Sequence, residues 1–244
     1  MKRLSLILLL CFVAYAVQAQ KTAFTVDDII KVKSLGSQSL SPDGEWLAGI
    51  ISDGTARFGT DHFRFKDPSY LNLRAGEPVL INTNTGDQTK LFESKARISN
   101  MTWSEDGKKL IFFEQQDDKL VLAYYDTESG KVRYPKIKDE RILTSNAGIN
   151  TMHNEDAIVI GVRAKGWLAG AMAEYKEATE GPVVVYDGSK DFLKWDKISV
   201  TASTYEVVKV DLKSGKMEDL LPESSYGGLN ISDNDQYLSF NQTF

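Results

Sequence analysis

Residues that could carry out covalent chemistry are few in this sequence, and their spacing matches no catalytic motif. A serine nucleophile at a strand-to-helix turn needs glycine two residues before and two residues after it, and no serine in the chain has both. The two histidines, His62 and His153, are far apart, and the sequence places neither beside a serine and an acid as a triad requires. We therefore expect no catalytic residue in these 244 residues.

Metal-binding patterns are missing as well. Two distant histidines and a single cysteine, Cys11, do not form a zinc spacing. Acidic stretches begin at Ser104 and Ser232, but neither has the twelve-residue calcium loop with its terminal glutamate. No glycine-rich phosphate loop is present. The sequence predicts neither a metal nor a cofactor, and it predicts that both acidic stretches are hairpin turns.

The most distinctive loop is RFGTDHFRF, residues 57–65. Arg57 and Arg64 could pair with a ligand carboxylate, and His62 lies between them in the sequence. These three residues are the candidates for substrate binding. The alternative, which we favour, is an insertion that packs its aromatic rings on the edge of a neighbouring sheet.

Short strands must position these residues. Many segments are rich in Val, Ile, Leu, Tyr and Phe and are bounded by turn residues, among them EWLAGIIS, KLIFFEQ, DAIVIGVRA and YEVVKVDL. The turn sequences NTGD, ESGK and KSGK lie between several of them. In each turn the glycine can supply a positive φ.

These strands and turns form a repeat. A polar turn precedes a strand at Ser41 (SPDG), Ser104 (SEDG) and Ser232 (SDND), and a later strand ends in a D/N-x-x-S/T-G turn. The interval from Ser104 to Ser232 is about twice that from Ser41 to Ser104. We therefore predict a degenerate copy between them, in INTMHNEDAIVIGV, where His153 would have a structural role.

A repeated, strand-rich unit of this length indicates a β-propeller, in which each blade completes its burial against its neighbours. We predict an all-β fold over residues 37–244, with about three and a half blades and insertions in the first and third; the third insertion has helical composition. A propeller ring needs about four to eight blades, so we expect a fragment. The alternative is an all-β sandwich with similar hairpins.

The first 19 residues read as a secretory signal peptide. Lys2 and Arg3 precede an apolar stretch, and Val17 and Ala19 suit a cleavage site; the alternative is an uncleaved anchor. Cleavage would remove Cys11 and the apolar stretch, leaving a mature chain without cysteine and without a membrane span. A disulfide-free secreted protein favours a bacterial periplasm or secretion from a bacterium.

Residues 20–36 are predicted to form a short helix and a lead-in, with Thr25 as the N-cap and Gly36 at the end. The net charge of the whole chain is −5. The sequence lacks the excess of basic residues that is typical of nucleic-acid-binding proteins, so we expect no nucleic-acid partner.

The segment FTVDDIIKVKSLGSQSLSPDGEWLAGIISDG resembles the start of secreted bacterial members of the prolyl oligopeptidase (S9) family of serine peptidases. MTWSEDGKKLIFF and VVKVDLKSGKMEDLLPES resemble the family's later blades. The resemblance covers residues 24–244. It implies a propeller that caps a C-terminal α/β-hydrolase domain, which carries a Ser-Asp-His triad, and that filters peptides by size.

This sequence departs from the family pattern because the hydrolase domain is absent, so no catalytic residue can be carried over. The paired glutamates of the dipeptidyl-peptidase branch are missing too, since Glu114 is followed by two glutamines. The resemblance implies two partners: the oligopeptide substrates of the parent enzyme and the missing hydrolase domain.

The expected function is therefore that of a non-catalytic, substrate-gating propeller of a secreted S9-type serine peptidase. The chain alone is expected to be inactive. One alternative is a TolB-like periplasmic propeller that binds a protein or another ligand. A second is a carbohydrate-active propeller whose acidic residues lie outside this sequence.

Overall fold

The computed structural model describes residues 25–57, 71, 73–180 and 194–242. The proposed signal peptide, residues 1–19, lies outside the described residues. Two compact units are distinguished, one ending at Val32 and one beginning at Lys33.

The described part of the first unit is helix α1 (Val26–Lys31). Its N-terminus is a capping box: the Asp28 N–H donates to Thr25 Oγ1 at 3.2 Å, and the Thr25 N–H donates to Asp28 Oδ2 at 2.8 Å. The predicted short helix and its cap are confirmed. Its end differs from the prediction, because the helix stops at Lys31 and Gly36 pairs with Ile50 in a sheet.

The second unit consists of successive antiparallel sheets whose strands follow chain order. Blade one contains β1 (Ser34–Leu40), β2 (Trp46–Ser52), β3 (Glu77–Asn82) and β4 (Gln88–Lys90). Blade two contains β5 (Ile98–Trp103), β6 (Lys109–Gln116), β7 (Lys119–Asp126) and β8 (Lys131–Arg133). Blade three contains β9 (Ile142–Thr151), β10 (Ala157–Arg163), β11 (Tyr205–Asp211) and β12 (Met217–Ser224).

A further pair, β13 (Tyr226–Ile231) and β14 (Leu238–Gln242), begins blade four. The connection between β2 and β3 starts with one turn of 3-10 helix, Gly54–Arg57. The connection between β10 and β11 carries helices α2 (Trp167–Thr179) and α3 (Lys194–Ser203). The composition of the third insertion predicted α2, whereas α3 was not predicted. Within the described residues, no helix is both long enough and apolar enough to cross a membrane.

The first strand of each sheet contacts the first strand of the next, so that β1, β5, β9 and β13 are neighbours in order. We call these four the inner strands. Sequential four-stranded sheets joined in this way are the blades of a β-propeller. The predicted all-β propeller is confirmed, with three four-stranded blades and the first two strands of another within the described residues.

Side chains of the middle strands fill the spaces between neighbouring blades. In β6, Leu110 and Phe112 join a buried cluster shared with blade one, whereas Ile111 and Phe113 join one shared with blade three. Successive side chains of a strand point to opposite faces, so β6 is buried on both sides. Each such side chain contributes roughly 1.5–3 kcal/mol on burial, which makes these clusters the main force that stacks the blades.

The polar turns predicted from the repeat have one geometry. The Ser41 hydroxyl donates to Asp43 at 2.5 Å and accepts the Trp46 N–H at 2.9 Å. The turns at Ser104 and Ser232 repeat both bonds, at 2.7 and 2.9 Å and at 2.7 and 3.0 Å. Each hydroxyl thus links the middle of its turn to the start of the following strand.

The predicted degenerate copy is the turn between β9 and β10, which begins at Met152 in place of serine. An acid from blade four supports this turn. The carboxylate of Asp235 accepts the His153 N–H at 2.8 Å and the Asn154 N–H at 2.7 Å. His153 therefore has the structural position that the repeat predicted.

Candidate functional site: the inner strands

The structure leaves the three predicted substrate-binding residues undecided. Arg57 is the last residue of the 3-10 turn, and its side chain is not described. His62 and Arg64 lie outside the described residues. Their role as ligand contacts stays a prediction.

The inner strands share an unusual composition. None of them contains a charged residue, although 26% of the whole chain is charged. Apart from the indole N–H of Trp103, their polar side chains are hydroxyls and carboxamides, namely Ser34, Ser37, Gln38, Ser39, Ser99, Asn100, Thr102, Thr144, Ser145, Asn146, Asn150, Thr151, Tyr226 and Asn230. The inner strands therefore present neutral hydrogen-bonding groups.

Every inner strand also contains one residue in the left-handed conformation. These residues are Ser37 (φ 50°), Asn100 (φ 54°), Gly148 (φ 68°) and Gly228 (φ 61°). Each lies four residues before the first residue of the following polar turn, and in all four sheets the register with the next strand shifts close to it. Such a shift is a β-bulge, which bends the strand and re-aims its side chains.

Side-chain amides compensate for hydrogen bonds that the bulges disrupt. Gln38 donates to the Leu35 carbonyl at 3.3 Å, and Asn230 donates to the Gly228 carbonyl at 2.8 Å. Asn150 donates to the Ala147 carbonyl at 3.2 Å. The Asn150 bond is partly buried, where a carbonyl needs a partner, and the other two bonds are exposed. All three amides bond within their own bulged segment.

The helical insertion is anchored beside this region by Arg163, which is 7% exposed. Its guanidinium donates to the Ala202 carbonyl at 2.7 Å and to the Thr204 carbonyl, at the end of α3. It also lies 4.3 Å from the ring centre of Trp167. Burial lowers the pKa of Arg163 to about 10. A cation is favourable at a helix C-terminus, so Arg163 ties α3 to blade three.

A second arginine ties the connection that leaves blade two to blade three. Arg141 lies in the connection between β8 and β9 and binds Asp139 at 2.9 Å, Glu206 at 2.7 Å and Asp219 at 2.7 Å. The hydrogen bonds that Arg141 donates to Asp139 and the other carboxylates outweigh burial and raise its pKa further above its usual range. All of its donors face carboxylates, which makes it a structural tie.

No metal site is seen among these groups. In the described part of the chain, no three His, Cys, Asp or Glu side chains are arranged to hold a metal ion. The neutral inner strands suit a ligand that is recognised by hydrogen bonds.

Comparisons with known proteins agree with the fold. No protein-family model matches the chain. The chain is 25% identical over 223 residues to the uncharacterized peptidase YuxL of Bacillus subtilis (strain 168); the match covers 90% of this chain and 31% of that protein. The chain therefore spans about a third of the length of the curated relative it matches.

Two solved structures were matched, of which the first carries the likeness in fold and the second is a weaker match. One is oligogalacturonate lyase from Vibrio parahaemolyticus, at 16% identity and a TM-score of 0.52, covering 92% of this chain and 51% of that chain. The other is the β-propeller domain of the Trilobed protease from Pyrococcus furiosus, at 17% identity and a TM-score of 0.42, covering 80% and 46%. At such identities the likeness concerns the fold and not the activity.

Proposed function

We propose that this chain is the non-catalytic propeller part of a secreted S9-type serine peptidase that acts on oligopeptides, and that its inner strands contact the substrate. The observation that carries the proposal is the sequence similarity to a peptidase along 90% of the chain. The S-x-D-G turns and the short capped helix, which resemble those of the S9 family, add to it.

The inner strands are chemically suited to this role. An extended peptide exposes an N–H and a C=O at every residue, and hydroxyls and carboxamides can pair with either group. A lining without charge would accept peptides with little regard to their net charge. We therefore infer a contribution to size and shape selection, with the cutting performed by an α/β-hydrolase domain outside this chain.

The gene sequence after the codon for Phe244 tests the proposal most directly. A downstream G-x-S-x-G followed by an aspartate and a histidine would support the peptidase. Further blades followed by a stop codon would favour the alternative, a TolB-like binding module.

An activity assay tests the division of labour. We expect the purified 244-residue chain to release no fluorophore from a fluorogenic oligopeptide. Turnover that a serine-directed inhibitor abolishes would contradict the assignment of the chain as non-catalytic.

Export to the periplasm or medium is part of the proposal, and amino-terminal sequencing of the exported protein tests it: the mature chain should start at Gln20.

A further inference from the structure

Strand β7 of blade two is only partly paired on its outer side. It has eight residues, and all of them pair with β6 without a shift in register. On the other side, β8 pairs only with Tyr124, Tyr125 and Asp126. The outer side of β7 from Lys119 to Ala123 therefore has no strand partner in the described residues.

The direction of the backbone groups follows from the turn after β7. The Asp126 carbonyl accepts the Gly130 N–H at 2.9 Å, so the backbone of Asp126 faces β8. Backbone groups two residues apart in a strand face the same side. The N–H and C=O groups of Leu122 and Leu120 therefore point outward beyond the end of β8, while those of Val121 and Ala123 pair with β6.

The other two blades show that these outward positions are normally paired. The residues equivalent to Leu122, four before the turn residue, are Pro78 and Val207; Pro78 accepts the Leu91 N–H at 2.9 Å, and Val207 pairs with Leu221. At the position of Leu120, Gly76 exchanges two hydrogen bonds with Ala96, and Tyr205 pairs with Ser224. Among the described blades, blade two alone leaves both positions open.

The two residues that carry the open groups expose little of their surface. Leu120 is 4% exposed and Leu122 is 3% exposed. No hydrogen bond joins their outward N–H and C=O groups to any described residue. Buried backbone groups are paired in more than about 90% of cases, so four such groups side by side indicate a place where a ligand backbone binds.

A cavity lies along this edge. Its volume is about 500 Å³, and it is lined by β7 from Lys119 to Leu122 and by the connection from Tyr134 to Leu143. This is within the range of about 300–1,000 Å³ typical of ligand sites. We call it the β7 slot. Its length along Leu120–Leu122 suits about three to four extended residues at roughly 3.3 Å each.

The outer wall of the slot is held away from β7. Pro135 cannot donate a backbone hydrogen bond, and this interrupts the strand that β8 begins. Arg141 then fixes the connection to blade three through its three carboxylates. Farther along, the backbone of Lys136 and Ile137 lies against Gly215. The wall is thus bound to the neighbouring blade, and the slot stays open.

The charge around the slot favours an acidic ligand. Lys119 lines one end, and Lys136, Lys138 and Lys216 line an adjoining groove of about 410 Å³. No salt bridge involves these four lysines in the described residues. Two acids, Asp139 and Glu140, line these cavities. Asp139 borders both cavities and pairs with Arg141. Glu140 has no ion pair among the described residues.

We propose that the β7 slot binds an extended acidic peptide segment, which adds to blade two as a strand and pairs with the backbone of Leu120 and Leu122. Main-chain hydrogen bonds supply affinity in this mode, and the lysines select for carboxylate side chains. The slot touches the inner strands only at Ile142 and Leu143, the first two residues of β9. The proposal does not depend on the peptidase assignment.

Amide hydrogen exchange and fluorescence polarisation test the proposal on the unmodified chain. The probe is a fluorescein-labelled Glu-Val-Thr-Val-Thr-Glu peptide. Without it, the amides of Leu120 and Leu122 should exchange much faster than those of Val121 and Ala123. With saturating peptide, the difference should disappear. Equal protection in the free chain, or no change at Leu120 and Leu122 on binding, would overturn the proposal.

Two control peptides distinguish backbone pairing with β7 from non-specific binding. A peptide with N-methylated central amides loses its donors and should bind at least about tenfold more weakly, since each lost bond costs roughly 1 kcal/mol or more. A peptide with lysine in place of both glutamates should also bind more weakly. Equal affinity for the N-methylated peptide would rule out strand addition.

A charge-reversed variant tests the acidic preference. Lys136→Glu with Lys138→Glu should weaken binding of the acidic peptide several-fold and restore binding of the lysine peptide. The matched control is Lys33→Glu with Lys165→Glu, which reverses two exposed lysines in other parts of the propeller. If both double variants bind the acidic peptide equally, the proposed preference for carboxylates is wrong.

Discussion

Gly215, in the turn between β11 and β12, lies directly against the backbone of Lys136 in the connection that leaves blade two. A Cβ placed on Gly215 would lie 2.9 Å from the Ile137 nitrogen and closer still to the Lys136 carbonyl. Gly215 also has a φ of +71°. Both the turn and the neighbouring backbone therefore require glycine, and this contact holds the outer wall of the β7 slot.

We expect Gly215→Ala to destabilise the propeller by about 2–4 kcal/mol, through left-handed strain of about 1–2 kcal/mol and displacement of the connection. Gly86→Ala is the matched control, because Gly86 occupies the same turn in blade one at φ +78° with no atom within 4 Å of the added Cβ. It should cost about 1–2 kcal/mol, the strain alone. Urea unfolding of both variants measures the difference, and equal losses would contradict the contact.

The first serine of a polar turn should stabilise the folded chain more, the more deeply it is buried. Ser41 is 3% exposed, and its hydroxyl is the acceptor for the Trp46 N–H. Ser41→Ala leaves that donor unpaired and should cost about 1–2 kcal/mol. Ser232→Ala, in a more exposed turn with the same bonds, should cost less than about 1 kcal/mol. Free energies of unfolding compare them, and a larger loss for Ser232 would be inconsistent with this account.

The bulge on each inner strand gives a backbone prediction. Gly148→Ala should cost about 1–2 kcal/mol, because φ is +68° while the added Cβ would meet only the Asn100 amide, at 3.9 Å. Gly170→Ala is the control, since Gly170 lies in helix α2 with open space around it. It should stabilise by about 0.5–1 kcal/mol. The two variants should shift the unfolding midpoint in opposite directions.

Low pH should remove the contribution of ionised Asp53 to the stability of the folded chain. Hydrogen bonds from Thr55, followed by Lys95, lower the Asp53 pKa from 3.8 to about 2. The unfolded chain therefore binds this proton at a higher pH than the folded chain does. The stabilisation is complete above about pH 4 and is lost as the pH falls to about 2.

The comparison for this prediction is Asp53→Asn, which has no titrating group at that position. The variant should be less stable than the parent chain at pH 7, and the gap should narrow between pH 4 and pH 2. Chemical unfolding at several pH values measures it. A gap that stays constant over that interval would show that Asp53 has an ordinary pKa.

The middle strands of the blades and the turns could be predicted because their causes are local. Ser41, Ser104 and Ser232 bond within five residues of themselves, and Gly86, Gly130 and Gly215 have the positive φ that their turns require. Repetition of these local signals identified the propeller. The degenerate third turn was also found, because its position in the repeat survived the loss of its serine.

Most of the site could not be predicted in this way. The lack of charge on the inner strands is visible in the sequence, but strand order and contacts decide that these are the strands that meet. The bulges at Ser37 and Asn100 were missed. Serine does not signal a left-handed conformation, and asparagine, although enriched in that conformation, is common in others as well.

The sequence by itself determined where the chain turns, which segments form the middle strands of the blades, and that they repeat, since each depends on neighbours a few residues away. The tertiary structure alone decided that Asp235 supports the turn at His153 and that Leu120 and Leu122 face an open slot. Both depend on how far one blade lies from the next. The apolar clusters between the blades set that spacing, and Arg141 and Gly215 fix the connection that leaves blade two against blade three.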